Sequence, residues 1–373
     1  MTDLAVGIAD AAASEDRISL FRPLRLRGLE LRNRLWLSPM CQYSAVDGRP
    51  GDWHLAHLGD RASGGWGLLF TEATAVSPEG RISAADTGIW TDAQADAWAR
   101  VVGFVHDRGA PIALQLGHAG RKASLASPWS GRAGTVPVGQ GGWQPRSVDA
   151  RPVPGLAVPR PLERADLAEI VRAFADAAAR GVRAGFDAVE LLAGHGFLLH
   201  SFLSPLTNGR GDEYGVGGEG GRERLLHEVV RAVRAAIPDD VPLLVRLSAT
   251  DWLPGGLTIA DTVAIIEGLT GLGVDLVDVS SGGLLPAEIP VAPGYQVAAA
   301  AEIRARTGTP TAAVGLITDA RQADGIVRSG SADAVLMGRA AIRDPYFALR
   351  AAHELGEGES STWQPQYARG AWA

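Results

Sequence analysis

The chain has 373 residues, 46% of them hydrophobic and 21% charged, with a formal charge of −7. That composition supplies a sizeable core, excludes global disorder and, with no Lys/Arg run, argues against a nucleic-acid surface. A single cysteine, Cys41, excludes an internal disulfide framework and suits a reducing cytoplasm, and no apolar run reaches membrane-spanning length.

Met1 to Arg17 is Ala-rich, carries Asp3, Asp10, Glu15 and Asp16, and lacks the basic start of a signal peptide. Residues 1–18 are therefore expected to be an extension and residues 19–373 one domain. Phe21 to Asn33 reads as a β-hairpin leading into a first buried run, Leu35 to Leu37. Seven more short apolar runs follow: Trp66–Thr71, Pro111–Leu116, Ala188–Leu192, Val241–Leu247, Val274–Val279, Pro310–Val314 and Ala334–Met337. Helical periodicity fills the gaps. Leu167, Ile170, Val171 and Phe174 run on to Gly181 and Gly185 as stops; Leu225, Leu226, Val229, Val230 and Val233 precede Pro238; Val263, Ile266 and Leu269 precede Gly271. Eight strands separated by helices predict an α/β fold, a closed (β/α)8 TIM barrel with an N-terminal β-hairpin. The rival, an open doubly wound sheet, wants a G-x-G-x-x-G turn after its first strand, and none is there. Two long insertions, Arg121–Pro161 and Gly194–Gly221, are expected to be loops over the barrel mouth.

In such barrels the C-terminal ends of the strands carry the chemistry. Here they read Ser38-Pro39-Met40-Cys41-Gln42-Tyr43, Thr71-Glu72-Ala73, Gln115-Leu116-Gly117-His118, Gly194-His195-Gly196, Arg246-Leu247-Ser248, Ser280-Ser281-Gly282, Val314-Gly315 and Gly338-Arg339. Ser281, Gly282, Gly315, Gly338 and Arg339 together predict a phosphate site, because glycines let an anion approach backbone N–H groups and arginine adds charged donors. Arg246 and Gln115 interrupt apolar strands. Arg246 needs an acceptor, either an internal carboxylate or the electron-rich edge of a ring cofactor that Gln115 also contacts.

Several motifs extend these signals: S-P-M-C-Q-Y-S (38–44), E-A-T-A-V-S-P-E-G-R (72–81), Q-L-G-H-A-G-R-K-A (115–123), F-L-S-P-L-T-N-G-R-G-D-E-Y-G (202–215), V-R-L-S-A-T-D (245–251), D-V-S-S-G (278–282), G-R-A-A-I-R-D-P-Y-F (338–347) and Q-Y-A-R-G (366–370). In this order they resemble the old yellow enzyme family of FMN-dependent oxidoreductases, in its bacterial ene-reductase subgroup with a C-terminal arginine. The resemblance implies non-covalent FMN reduced by NAD(P)H, with Ser38, Pro39, Met40, Cys41, Ala73, Gln115 and Arg246 around the ring and Ser281, Gly282, Gly315, Gly338 and Arg339 around the phosphate. It implies that Cys41 tunes the flavin, that Tyr43 and His195 reach the substrate, and that Arg369 enters a neighbouring subunit's site in a homodimer or homotetramer. The plainer alternatives are a small buried hydrophobe for Cys41, a core histidine for His195 and a solvated charge for Arg369.

The chain also departs from that pattern. Of the family's two donors at the fourth strand end, the first is Leu192 and only His195 remains; the family's tyrosine acid is Phe197. Hydride transfer from NAD(P)H to an activated alkene is the expected reaction, with Leu192, Phe197, Tyr43, His195 and Arg369 facing substrate. A desaturase or oxidase, or a quinone reductase, acting on a hydrophobic ring is the alternative. A phosphate-binding lyase or isomerase without flavin is the non-redox alternative, weakened by the absence of lysine from all eight runs. Metal is not expected.

Overall fold

The structure, a computed structural model, describes residues 18–218, 220–358 and 362–372. Apart from Ile18, the expected extension lies outside these residues. Eight strands close a parallel barrel: β1 (Leu35–Leu37), β2 (Leu68–Phe70), β3 (Ile112–Gly117), β4 (Ala188–Ala193), β5 (Leu243–Ser248), β6 (Leu276–Ser280), β7 (Thr311–Ala313) and β8 (Ala334–Met337). Each pairs with the next, and β8 returns to β1 with Val335 opposite Leu35 and Met337 opposite Leu37. All eight predicted runs are strands, and the closed ring rules out the doubly wound alternative.

The helices are α1 (Asp52–Ser63), α2 (Asp92–His106), α3 (Arg164–Arg183), α4 (Leu198–Leu203), α5 (Arg224–Ala236), α6 (Ile259–Thr270), α7 (Val297–Thr307), α8 (Ala320–Arg328), α9 (Arg339–Arg343) and α10 (Phe347–Glu354). Polar residues start several of them: Thr91, Thr258 and Asp319 each accept from a backbone N–H in the first turn. Gly181 is not a stop, as its sequence suggests. It lies inside α3, where an added Cβ would fall 2.4 Å from Leu114 Cδ2, so glycine allows α3 to sit close on β3. The helix ends at Gly185, with φ +97°.

Strand side chains alternate. Leu35, Leu37, Leu69, Leu114, Val189, Val245, Val277 and Val335 face outward into the layer shared with the helices. Trp36, Leu68, Phe70, Ala113, Ala188, Leu244, Leu276, Ala312, Ala334 and Leu336 face inward. Their barrel floor is closed by the N-terminal hairpin, Leu24–Leu26 paired antiparallel with Leu29–Leu31, which adds Leu26 and Leu31 to the same cluster. Burying each such leucine contributes about 1.5–3 kcal/mol. With the floor filled, the opposite end is left for chemistry. Among the described residues no helix is long and apolar enough to cross a membrane.

Candidate active site

Two residues beyond the apolar floor, β3 to β6 each turn a polar side chain inward: Gln115, Glu190, Arg246 and Asp278, all buried. Gln115 Nε2 donates to Glu190 Oε1 at 2.7 Å. Arg246 Nε lies 3.1 Å from Asp278 Oδ2, its register partner, close enough to pair electrostatically but without hydrogen-bond alignment. Burial pushes the Glu190 carboxyl well up, the Asp278 charge adds to it, and Arg246 opposes both. Burial likewise raises Asp278 against the pull of Arg246. Arg246 thus has an internal carboxylate and still reaches the cavity above, so both roles read from its sequence are compatible. Glu190 and Asp278 were missed from sequence. Each is a lone acid in a buried run, and Arg246 on the intervening strand was the available clue.

Above this layer is a cavity of about 280 Å³ lined by His195, Arg246, Ser280, Gln296, Gly315, Gly338, Arg339 and Arg343 among others. Three guanidinium side chains line it and no carboxylate does. Gly315 has φ +122°, a conformation that favours glycine, and a Cβ there would lie 2.9 Å from Gln296 Nε2. Of the predicted phosphate residues, Gly315, Gly338 and Arg339 line this cavity. Ser281 and Gly282 do not: Ser281 Oγ donates to Gln296 Oε1 at 2.7 Å, Gly282 N donates to Thr250 O, and β6 presents Ser280 instead. A larger surface groove, about 670 Å³, lies outside the barrel between Leu55, Phe104 and Tyr367, away from every strand end.

His195 sits in a left-handed turn with φ +56° after β4. Its N–H donates to Ser248 Oγ at 2.9 Å, and its Nε2 lies 2.6 Å from Ser280 Oγ, which leaves Nδ1 for a ligand. Burial holds its pKa well below the usual imidazole value, and Arg246, Lys122 and His200 lower it further. It is a neutral imidazole, not a cation.

A separate cleft is lined by Ala73, Ala75, Gly80, Ile82, Asp86, Gly117, His118, Leu192 and Phe197. Leu192 and Phe197 therefore share one apolar wall. Cys41 and Tyr43 pack beside it with Phe197, Leu125 and Trp143 against Ile82, Ala119 and Ala123. The long loop does cover the mouth, and Trp129 meets the Tyr43 ring edge-on at 5.6 Å. Burial pushes the Cys41 thiol well up, helped by Asp86 and Glu72, so it is a neutral thiol. Burial also raises the Tyr43 phenol, which keeps its proton. Asp86, which accepts from Ile82 N and Ser83 Oγ at 2.7 Å each, is raised to about 7 by burial. The loop after β1 is fixed from below: Gln42 N donates to Glu72 Oε2 at 3.0 Å, and Glu72 Oε1 meets His54 Nε2 at 2.9 Å.

Ser38 donates its N–H to Met337 O at 2.9 Å, and Met40 Sδ lies 3.3 Å from where a Gly338 Cβ would be, so the β1 and β8 ends adjoin. Pro39 is half-buried in the same segment. Arg369 is exposed on a short turn, Ala368–Gly370. Its tail runs along the outside of the barrel, where Gln364 Nε2 donates to Arg108 O and Tyr367 packs on Tyr346. Arg369 does not line this chain's own cavity.

The residues fit FMN on these observations alone. The cavity presents three guanidinium groups without an acid, and Arg246 reaches it from the polar layer that also holds Gln115. Comparisons agree. The profile of the NADH:flavin oxidoreductase / NADH oxidase family matches residues 19–357. An NADPH dehydrogenase of Geobacillus thermodenitrificans is 44% identical over 339 residues, covering 90% of this chain and 94% of that protein. One from Listeria innocua is 43% identical over 340 residues, covering 91% and 95%. Morphinone reductase in complex with tetrahydroNAD superposes with a TM-score of 0.75 at 31% identity, covering 93% of each chain. The old yellow enzyme homologue from Zymomonas mobilis gives 0.76 at 28%, covering 95% and 99%. The chain belongs to the NADH:flavin oxidoreductase / NADH oxidase family, the old yellow enzyme family, and is an NAD(P)H-dependent oxidoreductase whose cofactor is non-covalent FMN.

Proposed function

We propose that the protein reduces an activated alkene carried by a hydrophobic, ring-shaped carbonyl compound. When bound, FMN supplies the two-electron chemistry, accepting hydride from NAD(P)H and delivering it to the alkene. Arg339, Arg343 and the backbone around Gly315 and Gly338 hold the phosphate, while Arg246 and Gln115 hold the polar edge of the ring. His195 donates a hydrogen bond to the substrate's carbonyl oxygen, where negative charge grows in the transition state. A preorganised donor of that kind is worth about 2.7–4 kcal/mol. Leu192, Phe197 and Ala73 exclude water and select an apolar ring. Tyr43, whose phenol keeps its proton and which packs in one cluster with Phe197, is the candidate proton source for the α-carbon. Arg369, exposed on its own subunit, completes the site of a neighbour in a cytoplasmic homodimer or homotetramer.

The observation that carries this reading is that the end of β4 sends His195, held neutral, into the arginine-lined cavity and Leu192, with Phe197, into a separate apolar cleft. The test is anaerobic stopped flow on the flavin band. NADPH or NADH should bleach it, and 2-cyclohexenone should restore it rapidly. Recovery with oxygen or a quinone, but not with the enone, would replace this reading with a desaturase, an oxidase or a quinone reductase.

A further inference from the structure

His195 occupies a turn that an L-residue adopts reluctantly, so something must hold it there. Ser248 Oγ accepts from His195 N and donates to Gly282 O at 2.9 Å. Gly196 N donates to His200 Nδ1 at 2.9 Å, and the other nitrogen of His200 lies 3.0 Å from Asp251 Oδ1, both side chains fully buried. The remaining tie is Lys122, the only lysine of the sequence. Its Nζ donates to His195 O at 2.7 Å and to Gly283 O, and stands 5.7 Å from the centre of the Phe197 ring. The lysine is half-buried, and no carboxylate lies within ion-pair distance of it among the described residues. Burial, and Arg121 after it, lower its pKa to about 8. An ammonium placed where no acid compensates it has to be explained by what it touches. It touches two carbonyls, one at the end of β4 and one in the loop after β6, the two segments that meet at the His195 ring through Ser280.

We propose that Lys122 is a positioning residue for His195: its ammonium clamps the His195 and Gly283 carbonyls together and so fixes the imidazole with its free edge toward substrate. Its charge has a second effect on the same ring. Together with Arg246 it disfavours protonation of His195, so that the ring stays a neutral donor.

The proposal rests on His195 being the oxygen donor, and the experiment separates the two claims. Lys122→Met, Lys122→Gln, His195→Ala and the double variants are loaded with FMN, and reoxidation of the reduced enzymes by 2-cyclohexenone is compared. Lys122→Met is expected to slow reoxidation about 10- to 100-fold, and Lys122→Gln, which keeps an N–H donor, by less. In the His195→Ala background neither lysine change should cost anything further. Additive losses overturn the proposal. If His195→Ala alone changes nothing, the donor role itself fails, which is a different outcome. A readout without turnover uses 15N-histidine-labelled protein. The His195 ring, assigned by its loss in His195→Ala, should titrate at a higher pH in Lys122→Met and Lys122→Gln than in the unchanged chain. An unaltered His195 titration and ring signal in folded Lys122→Gln overturns the proposal even if Lys122→Met does not fold.

Discussion

The two sides of the barrel mouth are built on opposite principles. The side formed by β5 to β8 is polar and positive, with Arg246, Arg339 and Arg343 around one cavity. The side formed by β2 to β4 is apolar, with Ala73, Leu192 and Phe197 in one cleft and tryptophans from the long loop nearby. On the proposed reading, the first holds the cofactor's unchanging phosphate and the second the molecule that is turned over. Changes to the chemistry of this fold can therefore accumulate on one side while the other keeps its cofactor, and His195 stands where the two sides meet.

Breaking the positive side should have the largest effect. Arg246→Met leaves Glu190 and Asp278 buried with no cation, a situation that costs about 3–5 kcal/mol. The purified variant should be colourless, with a melting temperature well below that of the unchanged protein; a yellow, equally stable variant would separate Arg246 from cofactor binding. Next comes the junction. His195→Ala should slow enone-driven reoxidation about 100- to 1000-fold, matching the loss of one transition-state donor, while retaining bound FMN.

A smaller effect concerns Asp86 on the apolar side. Burial raises its pKa to about 7, so the folded protein binds its proton more tightly than the unfolded chain does. Its contribution to stability is complete below the ordinary aspartate pKa and is lost as pH rises toward 7. Asp86→Asn should remove that slope, changing the pH dependence of unfolding free energy by roughly 1–3 kcal/mol between pH 4 and pH 8. Parallel curves for the two proteins would place the carboxyl in a more solvated setting. The smallest effect sharpens the contrast by reversing it. Phe197→Tyr puts a hydroxyl on the apolar wall and should speed enone reoxidation about tenfold, less than the roughly 100-fold or more of a fully positioned acid. Reoxidation by a quinone, which needs no proton on carbon, should not change.

Nearly all of the barrel was legible, and much less of its interior charge. Inward and outward positions alternate along each strand with period two, so Leu243 to Ser248 announces itself as buried on both faces from composition alone. His195 was visible because polar residues at strand ends are conspicuous against such runs, Arg246 because it interrupts one, and Cys41 and Tyr43 through the family resemblance of their motif. Glu190 and Asp278 were not, because a single acid inside V-E-L-L or V-D-V reads as a strand residue until register places Asp278 opposite Arg246 and Glu190 opposite Gln115. Register is a tertiary property. The same limit hid Lys122, which sits in a loop after β3 and acts on a turn after β4. Gly181 was misjudged for a related reason: whether a glycine ends a helix or lets it approach a strand depends on the neighbour, here Leu114.

Barrel closure has a consequence for how the chain is made. Leu35–Leu37 is synthesised early, yet its second neighbour, Ala334–Met337, is translated some three hundred residues later. At the rates of protein synthesis that interval lasts on the order of 15–60 s. Throughout it, β1 keeps one row of backbone N–H and C=O groups without a partner strand, and the growing edge of the sheet keeps another. Such edges template pairing with other chains. A nascent chain that pauses before Met337 is therefore a natural client for a chaperone, and completing the ring removes both edges in one step.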